Sequence, residues 1–258
     1  MPDPWTDLLE CLDLHPVPSG GTGEGRAGDA VTEFEGRNER LEYHRVFGGQ
    51  LLGQFIRIAS ATFPAKDVKP QHTVFTREGR ADEPVRYQAT RQHEGRSFAT
   101  VAITARQSRV AVATSSICMR APENGRERQT VDEVPAVVAP DHEVSLDLIR
   151  WETRATVDLN ASTTGPPRFE IWMRTPAVDP ELAPALAAYA TDLTLIGTAL
   201  RPMVGVDQRG NGTVFTSAVT SHTIWFHRPF RTDGGDVLTE DGTLVASYAQ
   251  EALLRFAS

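Results

Sequence analysis

The sequence predicts an α+β fold, in which helices pack on antiparallel sheets. Three observations lead there. An amphipathic helix over residues 48–63 is followed by four strand-like runs separated by turn residues. The same order, helix and then strands, returns in weaker form after residue 145. The chain also has 258 residues, 40% of them hydrophobic, which is ample to bury a core without covalent staples.

Taken in order, Trp5 to Leu14 read as a short helix, with Leu8, Leu9 and Leu12 at helical spacing. Residues 15–29, rich in Gly, Pro and Ser, read as a mobile loop. In the helix over Gly48 to Phe63, Leu51, Leu52, Phe55, Ile56, Ala59 and Phe63 form one stripe, and Pro64 stops it. Strands are expected over His72 to Arg77, Val85 to Arg91, Ser97 to Arg106 and Val110 to Arg120. A Pro-rich, charged linker covers residues 121–145. Beyond it come strand-like Leu146 to Val157 and Arg168 to Arg174, a helix from about Glu181 to Leu195, and strands over Thr213 to His227 and Leu244 to Phe256. Both halves end on a strand that finishes in or near Arg, a weak echo of duplication. The expected units are therefore 1–120, with a mobile leader, and 146–258.

Composition excludes several classes. Net charge is −8 and the 26 Lys and Arg are scattered, so there is no stripe for a nucleic acid. The two cysteines, Cys11 and Cys118, have no CxxC pattern and no metal-ligand neighbours; reduced thiols and no metal are expected. The acidic start carries Asp3, Asp7 and Glu10 and lacks the basic and apolar blocks of a signal peptide. No run of about 20 apolar residues stands out as a membrane span. A cytoplasmic protein without a membrane partner is the expectation. Ser115 and Ser116 lack a nucleophile elbow, and Gly20 to Gly28 lacks the Lys-Ser/Thr of a phosphate loop.

Four blocks then resemble one family. Arg45-Val-Phe-Gly-Gly-Gln-Leu-Leu-Gly-Gln54 and Gly95-Arg-Ser-Phe-Ala-Thr100 lie in the first half. Trp225-Phe-His-Arg-Pro-Phe230 and Leu244-Val-Ala-Ser-Tyr-Ala-Gln-Glu251 lie in the second. In this order they resemble the acyl-CoA thioesterase II family. The resemblance implies a double hotdog, two helix-on-sheet units in one chain, and hydrolysis of fatty acyl-CoA to fatty acid and CoA in lipid metabolism. It implies no cofactor and a homo-oligomer. It also implies a water held by an Asp, a hydroxyl residue and a Gln. Those positions map to Asp192, Val219 and Gln250.

Asp192 sits among Leu186, Tyr189, Leu193 and Ile196 on a helical stripe, where a carboxylate is costly unless paired or shifted in pKa. A general base fits that description, and so does a polar residue at the stripe's edge. Gln250 shares a strand face with Tyr248, Ala252 and Leu254, and serves either the water or a bridge between strands. Val219 can neither donate nor accept. On strict alternation Ser217 and Ser221 share its face, each about 6.6 Å away, so Ser221 is the substitute considered; Thr220 faces away unless a bulge intervenes. Substrate contacts are considered at Gly48 and Gly49, through helix N-terminal N–H groups, with close packing as the alternative, and at Arg228, against a CoA phosphate. His72, His222 and His227 share no ligand spacing and read as structural. Only residues 231–243 separate Phe230 from Leu244, with turn formers at Asp233-Gly-Gly and Asp241-Gly242, so the second unit is expected to be shortened. The alternative function is a weakened or inactive acyl-CoA-binding or scaffold homologue. An enoyl-thioester hydratase is disfavoured, because Asp192 has no paired His on its helix.

Overall fold

A computed structural model describes residues 3–17, 31–42, 45–126, 128–129, 139–146, 148–233 and 243–256. The glycine-rich stretch 20–28, residues 127 and 130–138 of the Pro-rich linker, and the turn glycines at 234, 235 and 242 lie outside the described residues.

The first helix, α1 (Pro4–Cys11), starts on Asp3, whose carboxylate accepts from the Thr6 N–H at 3.1 Å, with Pro4 supplying a preset φ. Strands β1 (His15–Val17) and β2 (Val31–Gly36) follow. Helix α2 (Gly48–Thr62) is buried over nearly its whole surface, as its apolar stripe requires. The strands that receive it are β3 (Asp67–Phe75), β4 (Val85–Glu94), β5 (Phe98–Gln107) and β6 (Val110–Arg120). In β5 inward Ala99, Val101, Ile103 and Ala105 alternate with more exposed residues, the pattern of a sheet with one packed face.

The second half contains a two-stranded sheet of β7 (Glu152–Ala155) and β8 (Ile171–Arg174). Two helices, α3 (Ala183–Thr191) and α4 (Leu195–Leu200), and two long strands, β9 (Phe215–Phe226) and β10 (Ala246–Phe256), complete it. Strand β9 pairs with β3, so both halves share one sheet of order β1-β2-β4-β5-β6-β3-β9-β10. Helix α3 packs along α2 and closes the core with Ala185, Leu186, Ala188 and Tyr189. Five strands, β2-β4-β5-β6-β3, surround α2, whereas only β9 and β10 join that sheet from the second half among the described residues. The fold is a double hotdog in which, among the described residues, the second unit gives fewer strands to the shared sheet than the first.

Several expectations are corrected. His15–Val17, expected as loop, is a strand paired with Glu33 to Glu35. Strand β3 begins at Asp67 rather than 72; Pro70, which argues against a strand, sits where the pairing to β6 shifts between Val68 and Gln71. Strand 146–157 contracts to Glu152–Ala155. The helix expected over 181–195 ends at Thr191, with Asp192 as its C-cap residue. Pro180–Leu200 is long and apolar enough to cross a membrane by length and composition, contrary to expectation. Here it is folded as a short 3₁₀ turn, α3 and α4, broken at Asp192 and partly buried in the core.

Candidate active site

Asp192 stands where α3 ends, before α4, and faces the N-terminus of α2. Its carboxylate accepts a hydrogen bond from the Gly49 N–H, while Oδ1 is buried with no partner among the described residues. Burial pushes its pKa from 3.8 up to about 7, with the Gly49 bond opposing. The contact explains both glycines. A Cβ on Gly48 would lie 2.5 Å from Asp192 Oδ2, and one on Gly49 would lie 2.5 Å from the Tyr189 carbonyl oxygen. Gly49 thus gives its N–H to the carboxylate, and both glycines allow the close approach of the two helices.

Strand β9 supplies the facing wall through Ser217 to Thr220, with β10 paired alongside it. In their register Gln250 lies opposite His222, and directly opposed residues present their side chains on one face. His222 is fully buried, and its Nε2 lies 3.0 Å from the Thr191 hydroxyl, next to Asp192. That hydroxyl gives its proton to the Ala188 carbonyl at 2.8 Å, so His222 donates through Nε2 and keeps Nδ1 as an acceptor. Burial pushes the imidazole pKa down to about 4, leaving it neutral. His222 Nδ1 and both amide atoms of Gln250 are buried without partners among the described residues. The ring of Tyr248 stacks on His222 at 6.0 Å.

A bulge decides which β9 residues join them. Glu251 pairs with Ser221 and Ala252 pairs with Val219, so Thr220 is the extra residue. Val219 therefore shares the face of His222 and Gln250, while Ser221, also opposite the exposed Val74 of β3, lies on the other. This corrects the expectation for Ser221: strict alternation fails at the bulge, and its hydroxyl points away from the site. Thr220 borders the cavity described next, but its hydroxyl is directed to Glu251, 3.2 Å from both the carbonyl and a carboxylate oxygen.

The cavity has a volume of about 800 Å³ and reaches Asp192, Gly48 and Val219. Phe47, Leu51, Phe75, Leu148, Leu193 and Ile196 give it apolar walls. Arg45, Arg77 and Arg209 stand on its border; Arg45 pairs with Glu78 at 2.9 Å, and Arg77 is exposed with no ion pair among the described residues. Gln250 and His222, on the same face as Val219, are not among the residues that line it. Arg228 is also outside it; its guanidinium donates to the Leu244 carbonyl at 2.6 Å and so ties β9 to β10. Neither His222 nor the arginines at the border were singled out for the site from sequence, because the burial of His222 and the convergence of Arg45, Arg77 and Arg209 arise only on folding. Among the described residues no group of three or more His, Cys, Asp or Glu is placed to hold a metal ion.

An apolar cavity with a buried carboxylate where two helices meet, between halves that share one sheet, defines a double-hotdog protein with a candidate active site. Comparison with known proteins agrees. Residues 39–121 match the acyl-CoA thioesterase N-terminal domain. The chain is 26% identical to acyl-CoA thioesterase 2 of Haemophilus influenzae, over 86% of this chain and 92% of that protein. It is 24% identical to human acyl-coenzyme A thioesterase 8, over 86% and 84%. Among solved structures it superposes on the acyl-CoA thioesterase II TesB2 of Mycobacterium marinum with a TM-score of 0.74 and 27% identity, covering 97% of this chain and 98% of that one. Along nearly its whole length the chain is thus similar to proteins named as acyl-CoA thioesterases.

Proposed function

We propose that the protein hydrolyses acyl-CoA thioesters, with Asp192 as the base that activates water and Gln250 as the group that helps place it. The observation that carries this reading is Asp192 itself: a buried carboxylate with one unpartnered oxygen, bordering a cavity large and apolar enough for an acyl chain. The helix α2 N-terminus steadies its charge through the Gly49 N–H. Water adds to the thioester carbonyl carbon as Asp192 takes its proton. The tetrahedral intermediate then expels the CoA thiolate, which recovers a proton from Asp192. No covalent enzyme intermediate and no cofactor is required, because CoA arrives with the substrate. Gln250 and the neutral His222 offer partners for a water on the strand face they share with Val219. Arg45, Arg77 and Arg209 supply positive charge at the cavity border for CoA phosphates.

Acyl-CoAs of increasing chain length, followed by release of free thiol, test the proposal. Wild type should release CoA and Asp192→Ala should not; equal rates for the two proteins would sink the assignment. A second reading, an acyl-CoA-binding homologue with little turnover, is favoured by Val219, which places methyl groups where a hydroxyl would steady the water. It requires saturable acyl-CoA binding without thiol release, and wild-type turnover would exclude it.

A further inference from the structure

A row of polar side chains crosses the packed face of the sheet. Ser115 of β6 pairs with Thr73 of β3, Thr73 with His222 of β9, and His222 with Gln250 of β10, so all share one face. Hydrogen bonding along the row has a direction. Thr73 donates to the Ser115 hydroxyl at 3.0 Å, and Ser115 donates to the His72 carbonyl at 3.3 Å. His222 donates through Nε2 to Thr191, which leaves Nδ1 as a bare acceptor, buried and unpartnered among the described residues. The donors around that nitrogen are spent or misplaced, with one exception. Thr73 has given its only hydroxyl proton to Ser115. Gln71, diagonal to His222 on β3, donates its amide to the Leu52 carbonyl at 3.1 Å. The Tyr248 ring stacks on the imidazole with 4° between the planes, whereas the Nδ1 lone pair lies in the plane of its own ring. The exception is Gln250, directly opposite, whose amide nitrogen is buried with no acceptor among the described residues.

We propose that His222 is a positioning residue for hydrolysis: its Nδ1 accepts from the Gln250 amide and so turns Gln250 Oε1 toward the attacking water. The two ends of an amide have opposite hydrogen-bonding sense, so fixing one fixes the other. A water is most nucleophilic when acceptors hold both its protons and an electron pair stays free. Asp192 Oδ1 is one such acceptor, and Gln250 Oε1 becomes the second. In the flipped amide, Oε1 would face Nδ1, two acceptors with no proton between them. The amide N–H groups would then hold the water by the pair that attacks. Thr191 couples this arrangement to the base. It fixes the tautomer of His222 and is the last residue of α3, next to Asp192. His222 thus serves the water through Gln250. The role rests on reading Asp192 and Gln250 as the groups that hold the water; the bond between His222 and Gln250 does not.

Two substitutions in the full chain separate the roles of the two ring nitrogens. His222→Asn sets an amide oxygen near the position of Nδ1 and loses the bond to Thr191. His222→Gln sets an amide N–H near the position of Nε2 and loses the acceptor for Gln250. With an acyl-CoA as substrate, His222→Gln should lower kcat at least about tenfold with KM little changed, the size typical of residues that orient a catalytic group. His222→Asn should keep more of the rate. The reverse order, or equal rates, would show that His222 only ties β9 to α3, and would overturn the proposal. Nitrogen NMR of the labelled imidazole gives a readout that needs no turnover. Wild-type His222 should carry its proton on Nε2, and Gln250→Met, which removes the donor at similar volume, should shift the Nδ1 resonance. A proton on Nδ1, or a resonance indifferent to Gln250→Met, would also overturn it. A wild type that shows this shift but releases no CoA would sink the thioesterase reading, and with it the role in hydrolysis, while confirming the bond.

Discussion

At the scale of single residues, the bulge at Thr220 decides which side chains of β9 share the face of Gln250. It brings Val219 onto the face of Gln250 and His222, turns Ser221 away, and leaves the Thr220 hydroxyl bonded to Glu251. Restoring a hydroxyl at Val219 should therefore help. Val219→Thr is expected to raise the rate of CoA release by up to about 10²–10³, the size typical of one well-aimed hydrogen-bonding group. No gain would mean that the position does not face the attacking water. Asp192 was legible as a lone carboxylate on an apolar stripe, because burying charge is costly in any fold. The bulge was not legible: one inserted residue reverses every facing beyond it, and no residue type in Ala218 to Ser221 announces it.

At the scale of elements, the close approach of α3 to the start of α2 builds the site. Gly48 leaves room for the Asp192 carboxylate, and Gly49 bonds it. Gly48→Ala would place a methyl group 2.5 Å from Oδ2, so either the carboxylate or the helix must move. A loss of about 1–3 kcal/mol in urea unfolding is expected, together with a fall in turnover. Unchanged stability and turnover would show that the two helices do not meet as described. Helix α2 and strands β4 to β6 were readable from periodicity because each has its own apolar pattern and clear turns. The start of β3 was hidden by Pro70, and the break at Asp192 by apolar residues on both sides. Such breaks are set by the contacts of the folded chain rather than by local preference.

At the scale of the whole molecule, the buried polar groups tie the two halves together and set a pH dependence. Tyr189 of α3 donates to Glu39 at 2.9 Å, and burial raises that carboxyl from 4.5 to about 7. A carboxyl whose pKa is raised by folding contributes most below its unfolded value; its contribution falls as pH rises toward the folded one. Glu39 should therefore cost stability progressively between about pH 4.5 and 7. Glu39→Gln keeps an acceptor for Tyr189 and removes the titration. Its stability relative to wild type should climb with pH across that window, by about 1.4 kcal/mol per unit at the steepest, and level off above it. A difference independent of pH, measured by urea unfolding, would contradict the burial assigned to Glu39. His222, pushed down to about 4, acts in the opposite sense and is common to both proteins, so it cancels in the comparison.

The central claim is that Asp192, with its pKa raised by burial to about 7, is the base for thioester hydrolysis. The pH dependence of kcat for acyl-CoA hydrolysis tests it most directly. The rate should rise as Asp192 loses its proton, through a single ionisation near 7, and level off at higher pH. In Asp192→Asn both the rate and the ionisation should disappear. An Asp192→Asn protein that retains the wild-type rate and the same pH profile would contradict the claim.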